Sequence, residues 1–205
     1  MTSLRVATFV VWAVAGSAHA QEPGWKAYFG NLHSHSKVSD GVEEPKTAFE
    51  YAKTTAKVDF LCLSEHNHDM AASNTTQAGL SRVDAEAKAA TKAKTPGTPA
   101  FVALAGQEFS TIANGNHLNV FDVSTQIPLA LNNDYRRLYE EWLPAYQKAN
   151  PTRTVVLQFN HPESFELDYG RASVSPKQGK RPNYEGNDAA FLKGADAWVR
   201  TIAIL

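Results

Sequence analysis

Five short apolar runs punctuate this chain, and nearly every one leads into a histidine or a glutamate. The runs are Ala27–Leu32, Asp59–Ser64, Phe101–Gly106, Leu118–Val123 and Thr154–Phe159. Runs of this length, rich in Val, Leu and Phe and bounded by polar residues, read as strands covered on both faces. Between them lie helix signals. Pro45–Ala56 starts with a proline suited to a first turn, and Asn74–Lys94 is rich in Ala, Lys and Glu and ends before Pro96. Asp134–Ala149 reads as a third helix, kinked by Pro144. Buried strands alternating with helices predict an α/β fold with a parallel sheet.

The first twenty residues stand apart from that pattern. Arg5 precedes the apolar run Val6–Ala15, and Ala18-His19-Ala20 follows with the small-x-small pattern of a signal-peptidase site. The run is too short for a membrane-spanning helix. Residues 1–20 therefore read as a signal peptide and 21–205 as one domain, secreted or periplasmic, with no membrane segment after cleavage. Lys plus Arg number 20 and Asp plus Glu 21, a net charge of −1 with no strong footprint for nucleic acid or membrane surfaces. The single cysteine, Cys62, excludes an internal disulfide and a cysteine zinc site, and inside FLCL it reads as a small core residue.

Histidine placement carries the functional reading. Of the seven histidines, six lie beyond the leader: His33, His35, His66, His68, His117 and His161. All but His117 follow a predicted strand, and His117 opens one. Glu108 follows the strand Phe101–Gly106, and Asp40 sits on a turn after the first histidine pair. In parallel α/β folds the active site gathers at the C-terminal ends of the strands. His33 and His35, two apart on an extended segment, face the same way. Imidazole with carboxylate suits Zn, Mn or Fe, and this many donors exceeds the need of one ion. The expectation is a centre of two to three divalent transition metal ions. Singly, these residues have plainer readings: Asp40 before Gly41 as a turn residue, His161 before Pro162 as a turn cap.

The segments GNLHSHSKVSDG, FLCLSEHNH, AGQEFS, GNHLNVF and QFNHPE occur in that order between residues 30 and 163. Together they resemble the successive motifs of the PHP (polymerase and histidinol phosphatase) superfamily. The resemblance implies a distorted (β/α)7 TIM-like barrel with up to three metals at the strand ends. It implies His33, His35 and Glu108 as ligands of a first ion, with Glu108 bridging to a second held by His117 and His161. Asp40 and His66 would hold a third. The family's late Asp-x-His pair has no counterpart after His161, and Asn31 and Glu65 stand where the family often has Asp.

The implied activity is hydrolysis of a phosphate ester by a metal-activated hydroxide, the substrate a small phosphorylated compound or a nucleotide. Glu65 and His68 are candidates for relaying a proton to the leaving group. Lys37 is the best candidate for orienting the phosphate, with Arg171, Lys177, Lys180 and Arg181 behind it. The chain stops within the apolar run Thr201–Leu205, which predicts a barrel incomplete at its C-terminal end. The alternative is a truncated, non-catalytic module that keeps only part of the metal site.

Overall fold

The computed structural model describes residues 26–68, 73–93, 95, 100–109, 117–132, 134–160 and 198–202. Residues 1–20, His161 and the basic residues from Arg171 to Arg181 lie outside them. Strands β1 (Gly30–Ser34), β2 (Phe60–Asn67), β3 (Val102–Phe109), β4 (Leu118–Phe121), β5 (Val156–Phe159) and β6 (Val199–Ile202) form one sheet in sequence order. The helices are α1 (Pro45–Tyr51), α2 (Gln77–Ala90), α3 (Tyr135–Arg137) and α4 (Leu143–Ala149). None of the described helices is long and apolar enough to cross a membrane.

The sheet is mixed, not parallel throughout. β1, β2 and β3 run parallel, β4 runs antiparallel to both β3 and β5, and β6 is parallel to β5. The reversal has a simple cause: residues 110–117 are too few for the crossover that a parallel return requires. Within the described residues β1 and β6 are the two edges, so a closed barrel is not seen. The sheet nonetheless curls: Asn119 Nδ2 on β4 donates to the Leu32 carbonyl on β1 at 3.1 Å, although two strands lie between them.

Side-chain alternation divides the sheet into two faces. Leu61, Leu63, Ala103 and Ala105 pack against Phe49 and Ala52 from the α1 segment and Val83, Ala87 and Ala90 of α2. Leu118, Val120, Leu157 and Phe159 pack against Tyr135, Leu138, Tyr139, Leu143 and Tyr146. Each fully buried Leu or Phe contributes about 1.5–3 kcal/mol, so these two clusters are the main source of stability. The opposite, concave face carries Cys62, Ser64, His66, Glu108 and Asn119. Burial pushes the Cys62 thiol far above its ordinary pKa, consistent with an inert core residue.

Two helices carry wide turns. α1 continues as a π-helical turn over Ala52–Ala56 and stops at Lys57, which takes a left-handed φ of 54°. The kink expected at Pro144 takes the form of a π-helical stretch, Leu138–Trp142, just before it. Proline cannot donate the hydrogen bond that would close the preceding turn, and the backbone widens there. Below the sheet, the Arg153 guanidinium joins Asp84, at 2.8 and 2.9 Å, to Asp122, at 2.9 Å.

Candidate metal centre

The strands run further than the apolar runs suggest, so the chemistry-bearing residues lie on their last paired positions. His66 on β2 and Glu108 on β3 are register partners, as are Glu108 and Asn119 on β4. One row across the curled sheet thus sets an imidazole, a carboxylate and an amide side by side. His117 joins them because β4 is reversed: its first residues lie at the rim where β1–β3 end.

Glu108 is the hub and is almost fully buried, at 3% exposure. Its Oε2 lies 3.2 Å from His33 Nε2, 3.2 Å from His66 Nδ1, 3.5 Å from His35 Nε2 and 3.7 Å from His68 Nε2. Its Oε1 lies 3.0 Å from His117 Nδ1 and accepts from Asn160 Nδ2 at 3.2 Å. Burial alone raises a carboxyl pKa, but hydrogen bonds from His117, His33, His66 and His68 outweigh it and hold Glu108 far below the usual range. His66 Nε2 stands 3.0 Å from Asp40 Oδ2. Burial pulls the His66 ring down, yet Glu108 and Asp40 outweigh it and the net shift is upward. Burial, followed by the neighbouring His66, lowers His35 to about 4, so its imidazole is neutral at pH 7.

The local sequence explains how the histidines reach this hub. The β1–β2 register shifts between Asn31 and Ser34. Asn31 shapes that shift: its Oδ1 accepts from the His33 N–H at 2.8 Å, and its Nδ2 donates to Ser34 Oγ at 2.9 Å. After His35 the chain turns tightly, with Gly41 N–H donating to the Ser36 carbonyl at 2.8 Å. A Cβ at Gly41 would collide with the His35 carbonyl, so this return requires glycine.

Glu65 does not hold the place expected of a proton relay. It lies next to His66 on a strand, so it projects to the opposite face, and it is fully buried. Its carboxylate accepts from Ser36 N–H at 3.1 and 3.2 Å, from Ser36 Oγ at 2.5 Å and from Ser39 Oγ at 2.5 Å. Burial raises its pKa, with these hydrogen bonds opposing. Glu65 thus fastens the turn that carries Asp40. His68 is also fully buried, inside the histidine cluster. Lys37 is exposed on the turn, its backbone N–H donating to the Glu43 carbonyl at 2.8 Å.

The sequence reading passed over the amides beneath the cluster. Asn160 Nδ2 also donates to Asn119 Oδ1 at 2.9 Å, and Gln158 Nε2 donates to Asn160 Oδ1 at 3.1 Å. All three residues are buried, and Asn119 and Gln158 are register partners. The available signal was a polar residue within each of two otherwise apolar strands, LNVF and VLQF.

The donors fit divalent ions. Three groups bring their ligand atoms within 4.8 Å of one another: His33, His35 and Glu108; His35, Asp40 and His66; His66, His68 and Glu108. His35 Nδ1 is buried without a hydrogen-bond partner among the described residues, a position an ion would satisfy.

No protein-family model matches the chain, and no curated protein matches it. Among solved structures it is similar to a two-domain protein from Bacteroides vulgatus ATCC 8482 containing a predicted PHP-like metal-dependent phosphoesterase, with 16% identity and a TM-score of 0.42. The similarity covers 73% of this chain and 39% of that one, so the chain spans well under half of that protein's length.

Proposed function

We propose that this chain is a metal-dependent phosphoesterase acting on a small phosphorylated compound or a nucleotide. The observation that carries the reading is Glu108: one buried carboxylate faced by five imidazoles, His33 on β1 and His35 just after it, His66 on β2 and His68 just after it, and His117 just before β4. So many imidazoles around one buried carboxylate, each able to give up its proton and offer a nitrogen lone pair, suit divalent cations better than they suit a packed core. His33 and His35 with Glu108 would hold one ion, and His117 would share Glu108 with a second. When bound, such ions offset the charge of phosphate oxygens and supply a hydroxide at neutral pH.

The chain's own residues do the rest. Asn160 and His117 orient one oxygen of Glu108 and leave the other to the remaining imidazoles. Neutral His35 offers a lone pair without prior loss of a proton. Lys37, exposed beside His35, supplies a mobile ammonium that orients an anionic substrate at the rim. The leader-like first twenty residues support export, and the balanced charge supports a small substrate over a long nucleic acid.

The test is a panel of phosphomonoesters and diesters offered to chelated protein and to protein reloaded with Zn²⁺ or Mn²⁺. Turnover lost on chelation and restored by metal supports the reading. Bound metal without turnover of any ester supports the non-catalytic module, and protein that takes up no metal removes both.

A further inference from the structure

Resting on the metal-centre reading above, we propose that His68 is a metal ligand, sharing one ion with His66 Nδ1 and Glu108 Oε2, and that Asp40 orients His66 from outside. The ligand sets implied by the sequence motifs contain no such position: they leave His68 out and make Asp40 a ligand.

Four observations carry this assignment. First, His66 and His68 lie two apart at the end of an extended strand and share the concave face with Glu108. Second, His68 is rigidly placed. Asn74 Oδ1 accepts from its backbone N–H at 2.7 Å, and Asn74 Nδ2 donates to its carbonyl. Its ring sits between those of His66 and His117, at centroid distances of 4.6 and 4.5 Å.

Third, three basic atoms converge on one point. His68 Nε2 and His66 Nδ1 share a hydrogen bond at 2.6 Å, whose proton an ion would displace, and Glu108 Oε2 lies 3.7 and 3.2 Å from them. Ligands about 2.0–2.1 Å from a tetrahedral ion stand about 3.3 Å apart, so binding would draw the two nitrogens apart and Glu108 toward His68. Fourth, the two nitrogens of His66 face different groups: Nε2 stands 3.0 Å from Asp40 Oδ2, and Nδ1 faces His68 and Glu108, so a ring that keeps its proton on Nε2 would give an ion the Nδ1 lone pair. A carboxylate behind a ligating imidazole sets its tautomer and raises its basicity.

The experiment compares metal content and Zn²⁺ affinity of the unaltered chain with those of His68→Ala and Asp40→Asn, after loading and dialysis. The expected result is one equivalent fewer in His68→Ala. Asp40→Asn keeps the full count with affinity about 10–100-fold weaker, the range for an outer partner. An unchanged count and affinity in His68→Ala overturns the proposal, as does loss of an equivalent in Asp40→Asn alone. An unaltered chain that binds no Zn²⁺ removes the metal-centre reading itself, a different result. If His68→Ala does not fold, long-range ¹H–¹⁵N spectra of the unaltered chain decide. Movement of His68 Nε2 to the zinc-bound range supports the assignment, and an unmoved resonance overturns it.

Discussion

His66 and Glu108 are register partners on adjacent parallel strands, and their Nδ1 and Oε2 atoms lie 3.2 Å apart. The pairing of β2 with β3 therefore brings an imidazole and the buried carboxylate together before any loop contributes.

Glu108→Gln is the most informative single change. It removes the negative charge that all five imidazoles face while preserving shape. Metal affinity and phosphoesterase activity fall together, each by more than about 100-fold, since even outer-sphere partners cost that much. Titration with Zn²⁺ beside steady-state kinetics checks this, and a variant that keeps its metal contradicts it.

Glu65 has a different signature. Glu65→Ala strips the Ser36 and Ser39 hydroxyls and the Ser36 N–H of their common acceptor and costs about 3 kcal/mol. Urea denaturation measures the loss. A Glu65→Ala chain as stable as the original would mean that this carboxylate does not hold the turn.

Two neighbouring rings titrate in opposite directions in the metal-free chain. His35 is lowered from 6.5 to about 4, so the unfolded chain takes up its proton first. The His35 contribution to stability is therefore present above pH 6.5 and lost as pH falls toward 4. His66 is raised, so its contribution is full below 6.5 and lost as pH rises through its folded value. Ring-proton NMR between pH 4 and 8 should show His66 charging first on acidification. The reverse order refutes the assignment of the two environments.

Away from the site, Arg153→Met leaves Asp84 and Asp122 without their shared cation. Asp84 keeps Lys88 at 2.8 Å and Asp122 is partly exposed, so the loss costs about 1–3 kcal/mol. Melting temperature should drop while Zn²⁺ affinity in the folded state stays unchanged. A matched loss of metal affinity would link this ion pair to the rim.

Much of this arrangement was legible before any coordinates. The apolar runs locate β2, β3, β4 and β5 to within a few residues, because a strand covered on both faces has to be apolar throughout. His33, His35, His66, Glu108 and His117 stand out because ionisable residues are rare beside such runs. Strand direction was not legible in LNVF, since an apolar run reads the same in either sense; only the short span from 110 to 117 encodes the reversal. The place of Glu65 was not legible, because its partners, Ser36 and Ser39, lie nearly thirty residues earlier and carry no motif of their own. The full burial of His68, between the rings of His66 and His117, was not legible, because His117 lies almost fifty residues later.

The hydrogen bond from Asn119 to the Leu32 carbonyl spans the mouth of the curled sheet, one residue from His33 and beside Glu108. It acts as a spacer whose length is that of one asparagine side chain. The gap between the first strand and the carboxylate is thereby gauged by a residue that touches no ion. Lengthening the spacer by one methylene, as in Asn119→Gln, resizes the centre without altering a ligand. The spacing of the histidine and carboxylate groups can thus be tuned by a residue that is not one of them.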